Sequence, residues 1–349
     1  MKKIFLISYA RKNLGDDLFM KMLIERYPMH HFYMKIKKPE YLEYFNKYDN
    51  FHIIEGIDSG EELYHSNINE YDAYIYIGGS IFMEGKKGYN LSDEALDFIK
   101  RCKEAGKPFC YASCNYGPYE TEEYFNLSKE VFSTCTDICF RDRYSYELFQ
   151  DIENVRYAPD FVFTYPFKDE EKIKDSVGIT VIDLHIREDL KDQENEYIQM
   201  LSNNINEYIK QGKKVYLYSF CKREGDENTI DKVVEQVNDN NNLIAMKYDG
   251  NIEEFLKVYL QMEYMICARF HAMILSSLSN QKMYIMSYSK KIDRVNEDLG
   301  FNIPTIHFEE ITPETFINLN DFKNVEQEKL IPISADAKQQ EQAIKNILK

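Results

Sequence analysis

Strand-like and helix-like segments alternate along nearly the whole of this chain, and that alternation restricts the fold more than any other feature. Residues 3–8 (KIFLIS), 73–78 (AYIYIG), 107–114 (KPFCYASC) and 136–140 (TDICF) are short apolar runs rich in β-branched and aromatic side chains. Between them, 16–27 (DDLFMKMLIERY), 92–106 (SDEALDFIKRCKEAG) and 144–151 (YSYELFQD) carry apolar residues at helical spacing, with Ser92 as a cap and Gly106 as a stop. The pattern breaks near residues 165–175, where APDFVFTYPFKDEEKIKD holds two prolines and a charge cluster. It then restarts. Strands are expected at 176–184, 214–220, 243–248, 264–268 and 282–288, with helices at 195–212, 226–237, 252–261 and 271–280. Parallel strands need a crossover, and strands separated by helices of about 10–15 residues supply one each time. The expected class is therefore α/β: two Rossmann-like, doubly wound parallel-sheet domains facing each other across a cleft. The division is placed at 1–168 and 169–349. The stretch after Pro332 reads as an amphipathic helix packed back on one domain, and is assigned to the C-terminal one.

Length agrees with two domains, since 349 residues exceed what one core usually serves, roughly 250–300. The charge balance of 43 Lys+Arg against 59 Asp+Glu argues against a nucleic-acid binder, which shows a basic face. It does not argue against a small anionic ligand, because a few local arginines outweigh a distant net charge. No apolar run is long enough to span a membrane. The start, MKKIFLISYA, is interrupted by Arg11 and Lys12 and reads as a first strand rather than a signal peptide. Seven cysteines, an odd number, fit a reducing cytoplasm better than a disulfide framework. Cys110/Cys114 and Cys135/Cys139 form two C-x3-C pairs. Zinc knuckles usually have tighter spacing, so these read as small buried apolar residues and no metal site is expected.

In open parallel sheets ligands collect beyond the carboxyl ends of strands, where helix N-termini point. Several polar stretches fall at such places. NLGDD (13–17) follows the first strand: Gly15 permits a tight turn, Asp16 or Asp17 suits a helix cap or a sugar-hydroxyl acceptor, and Asn13 adds a polar group. YIGGS ends another strand with Gly78, Gly79 and Ser80, where a ligand can approach the backbone. Asn115 lies in SCNYGPY and Arg141 in FRDRYS, each just past a strand, with Asp142 placed to cap the next helix. CKREGDE (221–227) reads as a solvated charged loop with Gly225 or Asp226 at a helix start. In CARFHAM, an extended backbone would set Arg269 and His271 on one side and Phe270 on the other, in the core. An arginine and a histidine at a strand end and helix start suit an anion. Tyr288, Lys290 and Lys291 end the next strand. Two arginines with His271 and Lys291 can hold a small polyanion, since charge-assisted hydrogen bonds contribute about 1.5–3 kcal/mol each.

Taken in order, NLGDD, DAYIYIGGSIF, GKPFCYASCNYGPY, CFRDRYS, APDFVF, SFCKREGDE, ARFHAMILS and YSKKIDRVNEDLGF resemble the polysaccharide pyruvyl transferase family. They run from residue 13 to about residue 301. The resemblance implies a fold like the GT-B glycosyltransferases, with an acceptor-side N-terminal domain and a donor-side C-terminal one. It also implies transfer of a pyruvyl group from phosphoenolpyruvate to a sugar, giving a cyclic ketal; no step of that chemistry needs a metal and the sequence shows no ligand cluster, so no cofactor is expected. Family members act on precursors of capsule, exopolysaccharide or secondary cell wall. Their basic donor-binding positions match Arg141, Arg269 and His271, and Lys291 matches a recurrent lysine. His271 is then the acid/base or phosphate donor, and Asp16 or Asp17 orients or deprotonates the acceptor. The usual Gly-Gly-Gly reads Gly78-Gly79-Ser80 here. His185 and Arg187, also at a strand end, match no family role. The partners implied are phosphoenolpyruvate and a saccharide carried on a nucleotide or a lipid. A lipid carrier would bring the protein to the inner membrane face, although no basic amphipathic anchor is present. Two other readings stay open at this point: a glycosyltransferase of similar architecture using a nucleotide sugar, and a saccharide-binding protein without turnover.

Overall fold

The computed structural model describes every residue except 57–63, 65–66, 86–90, 168–169 and 239–240. The division expected between residues 168 and 169 falls outside the described residues. The chain forms two compact units: Met1–Ala10, Asp16–Tyr165 and Ser334–Lys349 make the first, and Arg11–Gly15 with Pro166–Ile333 make the second.

The first unit holds a sheet of seven parallel strands: β1 (Lys3–Ile7), β2 (His31–Ile36), β3 (Phe51–Glu55), β4 (Ala73–Ile77), β5 (Phe109–Cys114), β6 (Asp137–Phe140) and β7 (Val155–Tyr157), ordered β3-β2-β1-β4-β5-β6-β7. Helices α1 (Leu14–Arg26), α2 (Asp93–Glu104), α3 (Glu122–Thr134) and α4 (Arg143–Phe149) make crossovers. Strand order reverses direction between β1 and β4, and such a switch point opens a crevice at the strands' carboxyl ends. α1 is buried nearly all round, with Leu18, Phe19, Met20, Leu23 and Ile24 fully enclosed; its buried Lys21 pairs with Glu25 one turn on. α2 starts as expected, the Ser92 hydroxyl accepting from the Ala95 N–H at 3.2 Å.

The second unit repeats the plan with six parallel strands: β8 (Ile173–Thr180), β9 (Lys214–Ser219), β10 (Leu243–Lys247), β11 (Met262–Cys267), β12 (Lys282–Ser287) and β13 (Thr305–His307), ordered β10-β9-β8-β11-β12-β13. Its helices are α5 (Glu194–Lys210), α6 (Asp226–Gln236), α7 (Ile252–Tyr259), α8 (Phe270–Leu278) and α9 (Lys290–Asp298). The switch point lies between β8 and β11. Each unit has its own core. Phe5, Tyr74, Phe98, Phe132 and Phe149 anchor the first, and Val177, Ile179, Leu217, Ile230 and Ile266 the second.

The C-terminal segment packs differently from its expected assignment to residues 169–349. α10 (Gln327–Ala337) leaves the second unit after Ile333, just past the in-helix Pro332; a 3-10 turn and α11 (Gln342–Ile347) then pack with the first unit. The physical reason is a polar plug. Gln340 is 1% exposed; its Oε1 accepts from the Ser113 N–H at 2.8 Å and its Nε2 donates to the Ala158 carbonyl at 2.7 Å. Glu341 accepts from the Tyr27 hydroxyl at 3.0 Å and pairs with Arg26 at 3.2 Å.

Residues Arg11–Gly15 pack with the second unit for an equally local reason. The Leu14 N–H donates to the Phe220 carbonyl at 3.1 Å, and Asn13 bridges to Cys221. No helix among the described residues is long and apolar enough to cross a membrane.

Candidate functional site

Four strand ends of the first unit build one constellation. β4 runs out into Gly78, Gly79 and Ser80, β5 into Asn115, β6 into Arg141, and the segment after β7 brings Asp160. Arg141 is only 6% exposed. Its Nη1 donates to Asp160 Oδ2 and its Nη2 to Asn115 Oδ1, both at 2.9 Å. Ser80 Oγ donates to the same Asn115 oxygen at 3.3 Å. The guanidinium lies against the Gly79 backbone so closely that a Cβ there would overlap it, which is why this position needs glycine. Asn115 Nδ2 is buried and has no hydrogen-bond partner among the described residues. A buried donor left so costs about 1–3 kcal/mol, and a ligand oxygen would satisfy it.

Asp160 is itself held. Its Oδ1 accepts from the Val162 N–H at 2.8 Å, and its Oδ2 accepts from Ser113 Oγ at 3.3 Å. Ser113 reaches it because β5 carries a bulge between Ala112 and Cys114, where Ser113 takes φ +56°. The Ser113 N–H in turn donates to Gln340. A chain of hydrogen bonds thus runs from the C-terminal segment through Ser113 and Asp160 to Arg141. Gln340→Ala strips the buried Ser113 N–H and the Ala158 carbonyl of this partner. It is expected to lower unfolding free energy by about 1–3 kcal/mol, read from urea denaturation. An unchanged midpoint would mean that the plug contributes nothing.

The start of α1 differs from expectation. Asn13, not an aspartate, caps the helix: its Oδ1 accepts from the Gly15 N–H at 3.1 Å. The helix begins two residues earlier than expected, so Asp16 and Asp17 occupy its first turn, where they complement the helix dipole. Asp17 is buried at 1% exposure, whereas Asp16 is half-buried, its Oδ1 3.7 Å from where a Cβ on Gly78 would stand. Of the two, Asp16 is the one beside the glycine turn. Asp142 caps α4 as expected, accepting from the Ser145 N–H at 2.9 Å.

A second constellation stands at the strand ends of the second unit. Arg269 is the cap residue of α8 and 7% exposed; its Nη1 is paired with Glu224 and its Nη2 with Asp226. Burial disfavours the guanidinium charge, yet Asp226 and Glu224 outweigh it and hold Arg269 well above its ordinary range. Burial pushes the Asp226 carboxyl up, against the pull of Arg269. CKREGDE is therefore a solvated loop only in part: Lys222 and Arg223 are exposed, while Glu224 is half-buried and Asp226 buried. Asp226 is fully buried, its Oδ2 accepting from the N–H groups of Phe220 at 2.9 Å and Cys221 at 3.0 Å. Gly225 takes φ +83°, and a Cβ on it would run into Asp183.

The extended geometry expected for CARFHAM does not occur. β11 ends at Cys267 and α8 starts at Phe270, so Arg269 turns inward to its carboxylates while His271, on the first helical turn, stays half-buried. The His271 ring lies on the backbone of Gly15, where a Cβ would overlap it. Tyr288 is half-buried beside Arg269, close enough to bear on its charge, and its ring carries the Arg187 guanidinium 4.1 Å from the centroid. Lys291 lies in the first turn of α9 and is half-buried.

The structure thus gathers Gly78, Gly79, Ser80, Asn115, Arg141 and Asp16 in one unit, and Asn13, Gly15, Arg269, His271 and Tyr288 in the other. Sequence reasoning missed Asp160, Glu224 and Gln340 and misread Asp226. For Asp160 a signal existed, an acid just past the end of β7.

All seven cysteines are buried and unpaired. Burial pushes the Cys102, Cys139, Cys221 and Cys267 thiols up to about 12, and those of Cys110, Cys114 and Cys135 up as well. Metal binding and alkylation both need thiolate. Among the described residues no group of three or more His, Cys, Asp or Glu side chains is placed to hold a metal. The folded protein is expected to resist a thiol reagent at mildly alkaline pH and to expose all seven cysteines in denaturant. Fast labelling of the native state would contradict this burial.

The fold defines the broad class. UDP-N-acetylglucosamine 2-epimerase from Neisseria meningitidis, solved with UDP-GlcNAc, superposes with a TM-score of 0.60 at 10% identity, covering 100% of both chains. The Methanocaldococcus jannaschii UDP-GlcNAc 2-epimerase gives 0.58 at 9% identity over 99% of each chain. Anabaena HepE, solved with UDP-glucose, gives 0.57 at 10% identity over 100% of this chain and 97% of that one. The two parallel-sheet α/β units are therefore of the GT-B type. No curated protein matches the chain in sequence. The model of the polysaccharide pyruvyl transferase family matches residues 12–290, and the chain belongs to that family of transferases.

Proposed function

We propose that this protein transfers the pyruvyl group of phosphoenolpyruvate to two hydroxyls of a saccharide, forming a cyclic ketal in the biosynthesis of a bacterial surface polysaccharide. The observation that carries the reading is the membership of the family together with a buried, glycine-backed arginine at the carboxyl edge of the first sheet. The reaction asks for specific help. Protonation of C3 makes C2 of phosphoenolpyruvate electrophilic; a sugar hydroxyl adds there, inorganic phosphate leaves, and a neighbouring hydroxyl closes the ketal. The protein must supply one proton, accept others, and neutralise a carboxylate and a phosphate. Arg141 and Arg269 are proposed for the anionic groups, with Lys291 as a further positive charge. His271 is proposed as acid/base or phosphate donor, since histidine titrates near neutral pH. Asp16, half-buried beside the glycine turn, is the better placed acceptor-orienting carboxylate; Asp17 is sealed in the core. Asn13, Gly15, Gly78, Gly79, Ser80, Asn115 and Tyr288 are proposed to line the substrate positions. The chemistry as written calls for no metal or organic cofactor.

The test is incubation with phosphoenolpyruvate and candidate nucleotide- or lipid-linked saccharides, followed by phosphate release and mass spectrometry. A mass gain equal to a pyruvyl ketal, with matching phosphate, is the expected result. Turnover of a nucleotide sugar without consumption of phosphoenolpyruvate would replace this reading with glycosyl transfer. Saccharide binding with neither reaction would leave a binding protein.

A further inference from the structure

We propose that Glu224 is a built-in counter-ion that occupies the anion position of Arg269 and yields it to the incoming acidic substrate; this rests on the reading that Arg269 meets an anionic group of the donor. The two carboxylates on Arg269 are unequal. Asp226 is fully buried, takes two backbone N–H groups on its other oxygen, and is the first residue of α6, so it stays. Glu224 has a side chain 26% exposed and sits on the single 3-10 turn Lys222–Glu224, which ends at Gly225 in the left-handed region. Its other oxygen accepts from Asn13 Nδ2 at 3.2 Å. Its backbone belongs to no strand or α-helix.

Charge favours the exchange. Arg269 brings one positive charge to two carboxylates in contact with it, and Asp183 lies against Gly225 nearby. A phosphate or carboxylate added to this cluster meets net negative charge, whereas an anion exchanged for Glu224 leaves the count nearly as it was. One guanidinium nitrogen, Arg269 Nε, is also buried and has no partner among the described residues, so the charge of Arg269 is not fully used by the two carboxylates. A neutral acceptor offers Nη1 a hydrogen bond but no compensating charge, so the arrangement selects for an anion. Release of Glu224 frees the Asn13 amide as well, so anion arrival is felt at the cap of α1.

Isothermal titration of the full chain with inorganic phosphate, and separately with phosphoenolpyruvate, tests this in wild type and in Glu224→Gln. The variant keeps the shape and a hydrogen-bond acceptor but no charge. Removing the internal competitor is expected to tighten phosphate binding about tenfold. Equal or weaker phosphate binding by E224Q, or no binding by either protein, overturns the proposal. If E224Q unfolds in a thermal melt, Glu224→Ala takes its place with the same expectation. Tighter phosphate binding with no binding of phosphoenolpyruvate by either protein would support the counter-ion and remove the donor reading instead.

Discussion

His271→Gln is expected to lower turnover of phosphoenolpyruvate by about 10²–10⁴-fold while leaving the protein folded. The side chain is half-buried on the first turn of α8, edge-on to Phe270 with ring centroids 5.3 Å apart, and pressed on the backbone of Gly15. Glutamine fills much of the same space and leaves no charge stranded, so the fold loses little. It cannot carry a proton between donor and acceptor at neutral pH. The measurement is the rate of phosphate release at saturating phosphoenolpyruvate, beside a thermal melt. A variant that melts with the wild type and turns over at a comparable rate would remove His271 from the chemistry. Gly15→Ala is a companion probe, because its methyl must displace the imidazole without touching its chemistry.

Much of this architecture is legible in the sequence because local signals agree with the global fold. Ser92 caps α2, Asp142 caps α4, and the apolar runs of β1, β4, β5 and β11 lie where strands are expected. The edge strand β3 and its neighbour β2 are less visible. HFYMKI alternates buried and half-buried residues and FHIIE buries only its first, so neither carries the unbroken apolar run of a central strand. The site is legible only as far as single residues go. Arg141 announces itself at the end of β6, but its partners come from elsewhere: Asp160 is 19 residues away, and Gln340 lies 227 residues from Ser113. The same limit explains CKREGDE. Seven residues with five charges read as a solvated turn until Arg269, 43 residues on from Asp226, is known to lie against them. Periodicity reports which face of an element is buried; it carries no information on which buried charge meets which.

Arg141→Lys and Arg141→Ala are expected to fail in different ways, and the difference separates holding the fold from holding the substrate. Arg141 is one half of a buried ion pair whose other half, Asp160, is 1% exposed. Alanine leaves that carboxylate buried and uncompensated, which costs about 3–5 kcal/mol, so R141A should melt early and lose activity through unfolding. Lysine restores the charge and spares most of the stability. It cannot reproduce the fork that reaches Asp160 with one nitrogen and Asn115 with the other, both at 2.9 Å, while lying flat on Gly79. R141K is therefore expected to stay folded and to lose about 10²–10³-fold in kcat/KM for phosphoenolpyruvate, the usual scale for displacing one preorganised donor. Steady-state phosphate release and urea denaturation on the same preparations check both halves. Should R141K turn over like the wild type, Arg141 is a structural ion pair and the anionic donor is held by other groups. Should R141A prove as stable as the wild type, Asp160 has found another partner or a proton, and the buried pair is not what keeps these strand ends together.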